Sequence, residues 1–157
     1  MVGRWPALGG LALSVGFASQ TLSMSIVEGI LAKQRATATA VSWVTALREG
    51  RPDDAIAVSS PGALMAIAHD GHDVAIDPKT RTAAFQALPE VSAAAGCGKT
   101  SPRPTETERL QDGWVVRFSL DPCGLSGGLT LAVAPRLTVV RGRVVEEWRV
   151  SSFTLEP

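Results

Sequence analysis

The stretch "GWVVRFSLDPCGLSGGLTLAVAPRLTVVRGRVVEEWRVSSFTL" (residues 113–155) decides the fold of this chain, because apolar and polar residues alternate along three successive segments. In the first segment the large apolar side chains recur at every second position: Trp114, Val116, Phe118 and Leu120. This period places them on one face of a β-strand. Proline, glycine and serine then dominate residues 121–128 and predict a turn region.

A second, longer strand follows, and its apolar residues are also predicted to share one face: Leu129, Leu131, Val133, Leu137 and Val139. Pro135 interrupts it and cannot donate a ladder hydrogen bond, which predicts an edge position or a bulge. Arg141-Gly142 predicts a hairpin turn into a third strand. In that strand the apolar phase changes at Ser151-Ser152, which predicts a β-bulge and a curved sheet.

The residues upstream predict helices that cover the apolar face of this sheet. Residues 26–49 lack proline, and part of their apolar stripe has three-residue steps: Ala38, Val41, Val44 and Leu47. Pro52 with two following acids starts a short helix, and Pro78 and Pro89 start two more. Residues 105–111 predict an additional polar strand. The predicted fold class is therefore α+β, with helices packed on a curved antiparallel sheet of three to four strands.

The N-terminal segment bears on the compartment. Between Arg4 and Glu28 lie 23 residues without a charge. A helix of that length spans roughly 30–35 Å, which is about one hydrocarbon core. Three interpretations stay open: a membrane anchor, a secretory signal peptide cleaved near residue 18, or a helix of a soluble protein. The first two place the following domain outside the cytoplasm. The chain then divides into residues 1–33, the anchor or signal segment, and residues 34–157, the α+β domain.

The two cysteines, Cys97 and Cys123, both lie beside glycine in loop-forming contexts. In an oxidising compartment such a pair is expected to form a disulfide, whereas two unpaired buried thiols are the alternative. The bridge would close a loop of about 25 residues, worth roughly 3 kcal/mol in the chain-entropy model.

The charge balance argues against one class of partner. Fifteen basic and fifteen acidic residues give a formal net charge of zero. Nucleic-acid binders usually carry a basic patch, so no nucleic-acid partner is expected.

Two stretches carry a resemblance to a known fold family. "WVTALREGRPDDAIAVSSP" (residues 43–61) resembles the opening of nuclear-transport-factor-2-like domains of the cystatin-like α+β kind. "GWVVRFSL" (residues 113–120) and "EEWRVSSFTL" (residues 146–155) resemble the curved sheet of the same class. The resemblance covers roughly residues 34–157. It implies a pocket between helix and sheet and, in many bacterial members, a single membrane helix ahead of the domain. The acid and histidine pair of the isomerase-type members has no clear counterpart on these strands.

The candidate chemistry in the sequence is sparse. Both histidines lie in one short segment beside two acids, and they are the candidate metal ligands: His69, Asp70, His72 and Asp73. Histidine and carboxylate are metal-ligand types, but a glycine-centred turn is more typical of a solvated loop. Ala93–Thr100, "AAAGCGKT", fits a relaxed phosphate-loop pattern, which needs a strand before it and a helix after it. No cofactor is expected.

Two functions follow as hypotheses. The first is an exported, membrane-tethered domain with a binding or structural role in the bacterial envelope, without enzymatic activity. Its partner would be an unidentified protein or small ligand, the membrane would be reached through the N-terminal helix, and a homodimer would form through the sheet. The alternative is a pocket-based enzyme or metal-dependent binder that uses the segment from His69 to Asp73. Trp114 and Trp148 are expected to be core residues rather than a ligand platform.

Overall fold

The computed structural model describes the backbone of residues 5–65, 78–97 and 101–157, and the side chains of residues 26–64, 81–97 and 101–157. The chain forms two compact units, Met1–Gln34 and Arg35–Pro157. The described helices are α1 (Trp5–Arg48), α2 (Pro52–Ala57), α3 (Pro61–Met65), α4 (Pro78–Gln86) and α5 (Pro89–Ala95). The four strands are β1 (Pro104–Arg109), β2 (Trp114–Ser119), β3 (Gly128–Val140) and β4 (Arg143–Glu156).

The membrane-anchor prediction is not supported by the residues that the structure describes. Among them, no helix combines the length and the apolar character needed to cross a membrane. Part of the prediction concerns residues 1–25, whose side chains lie outside the described residues.

The short helices begin where proline predicts them. α2 starts at Pro52 with Asp53 and Asp54 in its first turn, and α5 starts at Pro89. Proline is favoured at the first helical position, since its missing N–H has no partner there, and acids favour the positive end of the helix dipole.

The sheet is an antiparallel meander in the order β1-β2-β3-β4, which confirms the α+β prediction and the additional polar strand. In β2, Val116 and Phe118 are buried, whereas Val115 and Arg117 on the opposite face are partly exposed. Successive strand residues point to opposite faces, so one face of the sheet packs on the helices and the other faces solvent.

Two local predictions about β3 and β4 are confirmed. The register between them shifts by one residue, with Ala132 opposite Ser152 and Val133 opposite Val150, so Ser151 is the extra residue of a β-bulge. The hairpin turns at Arg141 and Gly142, which have φ angles of 51° and 76°. Positive φ at both central residues matches the right-handed twist of the flanking strands.

Pro135 lies inside β3 without breaking it, and the register explains why. β2 pairs with β3 along residues 128–133, so from Ala134 onward β4 is the only neighbour of β3 among the described residues. The missing N–H of a proline is tolerated on an edge. Residues 134–149 are called the outer hairpin below. In this part β3 and β4 pair with each other and with no other described strand.

Leu137 and Val139 lie on the same face of β3 as Leu129, Leu131 and Val133, as predicted, but unlike those residues they are exposed. Leu137 and Val139 are 70% and 72% exposed, and both lie beyond the part of β3 that pairs with β2. Ala38 in α1 is likewise exposed, and the buried stripe of this helix instead comprises Ala36, Ala40, Trp43, Val44, Ala46 and Leu47.

Trp43 lies at the centre of the core and is fully buried. Its ring centroid is 5.2 Å from that of Phe153 on β4 and 6.0 Å from that of Phe85 on α4. Its Nε1 donates to Ser59 Oγ at 3.1 Å, and Ser59 Oγ donates to Ala55 O at 2.8 Å. One residue thus joins helix, sheet and the segment after α2.

The segment after α2, residues 58–60, pairs with β4 along the strand edge that faces away from β3. Val150 N donates to Val58 O and Ser60 N donates to Val150 O, both at 2.8 Å. The Arg149 guanidinium adds bonds to Ala57 O and Ser59 O at 3.4 and 3.5 Å. This short strap covers the β4 edge around Val150.

Candidate functional site

The histidine segment cannot be placed as a site. His69, Asp70, His72 and Asp73 lie within residues 66–77, outside the described residues. Among the residues that are described, no group of three or more histidine, cysteine or acidic side chains has metal-binding geometry. The metal-binding hypothesis therefore stays a prediction.

The phosphate-loop pattern does not have the local structure that it requires. Residues up to Ala95 belong to helix α5, and the described chain after residue 100 leads into strand β1 rather than into a helix. A phosphate loop needs the reverse order, with a strand before and a helix N-terminus after. Cys97 within the pattern instead forms a disulfide with Cys123, and their Cα atoms are 4.7 Å apart.

The disulfide joins the end of α5 to the 3₁₀ turn Asp121–Cys123 that follows β2. Cys97 is buried in the core cluster, and Cys123 packs partly against it. The predicted disulfide between Cys97 and Cys123 is thus confirmed. Disulfides are typical of proteins outside the reducing cytoplasm.

A cavity of about 230 Å³ lies beside this disulfide. This cavity, called the arginine pocket, is lined in part by Arg48, Ser101, Arg103, Thr105, Phe118 and Ser119. Phe118 is buried, whereas Arg48 and Ser119 are half-buried and Arg103 is exposed. The pocket therefore combines an apolar wall with two cations and three hydroxyls, and no carboxylate is among the described residues that line it.

Arg48 is held at the inner side of the arginine pocket. It is the last residue of α1, where a cation interacts favourably with the helix dipole. Its Nη2 donates toward Cys123 Sγ at 3.9 Å. Burial lowers the pKa of the Arg48 guanidinium, because the charged form has lost part of its hydration.

The hydroxyls of the pocket differ in what they can offer a ligand. Thr105 Oγ1 donates its proton to Arg117 O at 3.2 Å. Ser119 Oγ instead accepts from the backbone N–H of Asp121 at 3.3 Å, so its own proton remains to be donated.

The charged residues in and next to β1 separate into two sets. Arg103 faces the arginine pocket, whereas Glu106 and Glu108 pair with Arg117 at 2.9 and 3.4 Å. The hydrogen bond that the Arg117 guanidinium donates to the Glu106 carboxylate raises the pKa of Arg117. This second set is a solvated ion-pair network of the kind that contributes little to stability.

Among the described residues of 35–157, most of the exposed large apolar side chains lie in the outer hairpin. Five of its large apolar side chains are exposed: Leu137, Val139, Val140, Val144 and Val145. The register places Leu137, Val139 and Val144 on one face, and Val140 and Val145 on the other. Trp148 is half-buried beside them and, like Trp114, packs against the core, as predicted.

Comparison with known proteins gives no assignment. No protein family matches the chain, and neither the curated proteins nor the solved structures include a significant match.

The sequence did not predict the arginine pocket, because the pocket joins the end of α1 to loops more than 50 residues away in the chain. The only local signal was a basic residue in the last turn of a helix.

Proposed function

We propose that residues 34–157 form an exported, non-enzymatic binding domain that pairs with a second copy of itself through the outer hairpin. The observation that carries this proposal is the exposure of apolar side chains on both faces of that hairpin. A ribbon in water normally keeps at least one polar face, so apolar residues on both faces favour burial in an assembly. Such a pair would serve a binding or structural role in the bacterial envelope.

The nuclear-transport-factor-2-like, cystatin-like assignment is part of this proposal. Its support is the order of elements, in which helices precede a four-stranded antiparallel meander with a bulged last strand. A fold does not by itself assign an activity, so the proposed role rests on the outer hairpin.

The free edge of β4 indicates how two copies would meet. Val150 directs its N–H and C=O outward to the strap of residues 58–60. Backbone direction alternates along a strand, so Val144 and Glu146 also direct these groups outward, away from β3. Residues 143–148 thus present an edge that a second strand can join by β-augmentation.

Charge selects one register and one occupant for this edge. Antiparallel pairing of two copies about Val145 sets Arg143 of each copy opposite Glu147 of the other. Shifting the centre to Glu146 sets Arg143 opposite Arg149 instead, which places like charges directly across. Pairing about Val145 is therefore self-complementary in charge, which favours a second copy over an unrelated strand.

Val144→Pro tests the pairing directly. Proline at an outward-facing position removes the N–H that the second copy needs and leaves the ladder with β3 intact. We expect the wild-type chain to be a dimer by sedimentation equilibrium, and Val144→Pro to raise its dissociation constant at least about tenfold, because each copy loses a hydrogen bond.

Val144→Thr is the matched control, since threonine keeps both the β-branched shape and the N–H; it should remain a dimer. Arg143→Glu, which sets an acid opposite Glu147, should also weaken the dimer. A monomeric wild-type chain would exclude the second copy as occupant, and unchanged association of Val144→Pro would exclude this edge.

Export in this proposal depends on residues 1–33, acting either as an anchor or as a cleaved signal, and the charge-free run of 23 residues is its support. We expect Cys97 and Cys123 to resist a maleimide reagent in protein taken directly from cells, and to react only after reduction. A Cys97→Ala, Cys123→Ala chain gives the background signal. Labelling of both cysteines without reductant would contradict an oxidising compartment, and membrane fractionation separates anchor from signal.

A further inference from the structure

We propose that the face of the outer hairpin that points away from the helices docks on a bilayer surface rich in anionic lipid headgroups. Directly opposite residues of an antiparallel pair share a face, so the register identifies the side chains on this one. They are called the basic face and include Arg136, Val140, Arg143, Val145, Glu147 and Arg149. The basic face is distinct from the β4 edge, so docking and self-association are separate proposals that can fail independently.

Most arginines at the basic face have no acidic partner among the described residues. Glu147 accepts a hydrogen bond from Arg149 at 2.7 Å, and Arg149 also donates to backbone carbonyls beside the β4 edge. Arg136 and Arg143 are exposed and form no ion pair or side-chain hydrogen bond with any described residue. The same holds for Arg141 in the hairpin turn. The outer hairpin is thus positively charged, although the whole chain has a formal net charge of zero.

The proposed self-association leaves most of this charge available. Arg143 would face Glu147 of the other copy, whereas Arg136 lies on β3, away from the edge that the second copy joins. Pairing at the β4 edges covers neither face of the hairpin, and it places the basic faces of both copies on the same side of one sheet. A dimer therefore presents a wider basic surface than a monomer.

Apolar side chains on the same face favour a bilayer over a soluble polyanion. Val140 and Val145 are 47% and 41% exposed, and Val140 lies directly opposite Arg143. Valine gains free energy on entering the lipid interface, while arginine keeps its charged end among the headgroup phosphates. A nucleic acid duplex binds mainly through its phosphates, which would leave both valines exposed to water. Basic and apolar residues together are typical of elements that lie in the membrane interface.

The rest of the sheet's solvent face has the opposite charge, which orients the approach. Three carboxylates surround Arg117 at 2.9, 3.4 and 4.0 Å: Glu106, Glu108 and Glu156. Arg117 lies opposite Thr130, and Arg136 follows Thr130 along β3 at a distance of roughly 20 Å. This is about two Debye lengths at 0.1 M salt, so the acids do not cancel the arginines. An anionic bilayer repels the acidic end and meets the outer hairpin first.

Sedimentation of the full chain with lipid vesicles tests the docking. Vesicles of phosphatidylcholine alone are compared with vesicles of equal parts phosphatidylcholine and phosphatidylglycerol. At low salt we expect the anionic vesicles to bind the chain at least about tenfold more tightly, and high salt should remove the difference. The ratio between the two vesicles cancels any apolar affinity that residues 1–33 contribute to both. Equal binding to the two kinds of vesicle at low salt would overturn the proposal.

Arg136→Gln is the decisive substitution, because Arg136 is exposed and lies away from the β4 edge. It should weaken binding to the anionic vesicles about fivefold, the loss expected for one basic side chain at an anionic surface. Arg109→Gln, at an exposed arginine of β1, changes the net charge equally and should stay within about twofold of wild type. Equal losses for the two substitutions would show that net charge, and not the basic face, attracts the bilayer.

A polarity-sensitive fluorescent label shows which face meets the lipid. Val140→Cys and Val139→Cys place the label at neighbouring positions of β3 that point to opposite faces. Each adds a thiol that reacts without reduction, since Cys97 and Cys123 are bonded to each other. Anionic vesicles should shift the emission of the label at position 140 to shorter wavelength and leave the emission at position 139 near its value in buffer.

Equal shifts at the two positions, or a shift at position 139 alone, would contradict the assigned face. A DNA duplex tested in parallel distinguishes the other polyanion. Binding of the duplex that depends on Arg136, without binding of the anionic vesicles, would replace the bilayer with a nucleic acid and overturn the proposal.

Discussion

Replacing Trp43 with alanine is expected to lower the free energy of unfolding by about 3–5 kcal/mol, the cost of removing a large buried aromatic side chain. Trp43 is fully buried and contacts the rings of both Phe85 and Phe153. Truncation would open a cavity where α1, α4 and β4 meet, and rigid elements on three sides limit collapse. Urea unfolding followed by far-UV circular dichroism measures the change without depending on tryptophan fluorescence.

Two further variants separate packing from hydrogen bonding. Trp43→Phe keeps most of the ring volume but leaves Ser59 Oγ without the Nε1 donor, so its expected cost is only about 1–2 kcal/mol. Trp148→Ala removes a tryptophan that is half-buried, and should cost less than half as much as Trp43→Ala. Equal losses for Trp43→Ala and Trp148→Ala would contradict the central position of Trp43.

Strand positions could be predicted from sequence because their signals are local. Alternation identified β2, the phase change identified the bulge at Ser151, and Arg141-Gly142 identified the hairpin turn. The first two signals depend on a period of two residues, and the third depends on a preference for positive φ. All three can be recognised without knowledge of distant contacts. The same holds for the helices that begin at proline.

Burial could not be predicted in the same way, because it depends on which elements lie alongside. Leu137 and Val139 continue the apolar pattern of β3, yet β2 ends before them and they face solvent. Pro135 marks this boundary: a proline inside a strand indicates that a neighbour is missing on one side. Alternation tells which face a residue occupies but not whether that face is covered.

The arginine pocket is a further case of a feature without a local signal. Arg48 ends a helix and Arg103 precedes a strand, and each alone is typical of a solvated surface residue. They lie in the lining of one cavity beside the disulfide, where Arg48 Nη2 donates toward Cys123 Sγ. The two cysteines were predicted to pair, but the pairing did not reveal which side chains would gather beside it.

Breaking the disulfide is expected to lower the free energy of unfolding by about 3 kcal/mol in the chain-entropy model. The bond spans 26 residues and encloses both β1 and β2. It fixes α5 to the turn after β2, and Cys97 itself is buried in the core. Without the bond the unfolded chain gains freedom, while α5 keeps its apolar contacts with the core, including those of the buried Val91 and Ala94. Denaturant unfolding of Cys97→Ala, Cys123→Ala measures the loss.

Reduction of the wild-type chain provides the matched control, because it breaks the covalent bond and keeps both sulfur atoms in place. If the cross-link is the source of stability, dithiothreitol should lower the free energy of unfolding of the wild type by about 3 kcal/mol, as the double substitution does. The free energy of unfolding of the double variant should not change on reduction. A double variant much less stable than reduced wild type would instead assign the effect to packing of the sulfurs. Equal stability of oxidised and reduced wild type would show that the closed loop around β1 and β2 does not constrain the unfolded state.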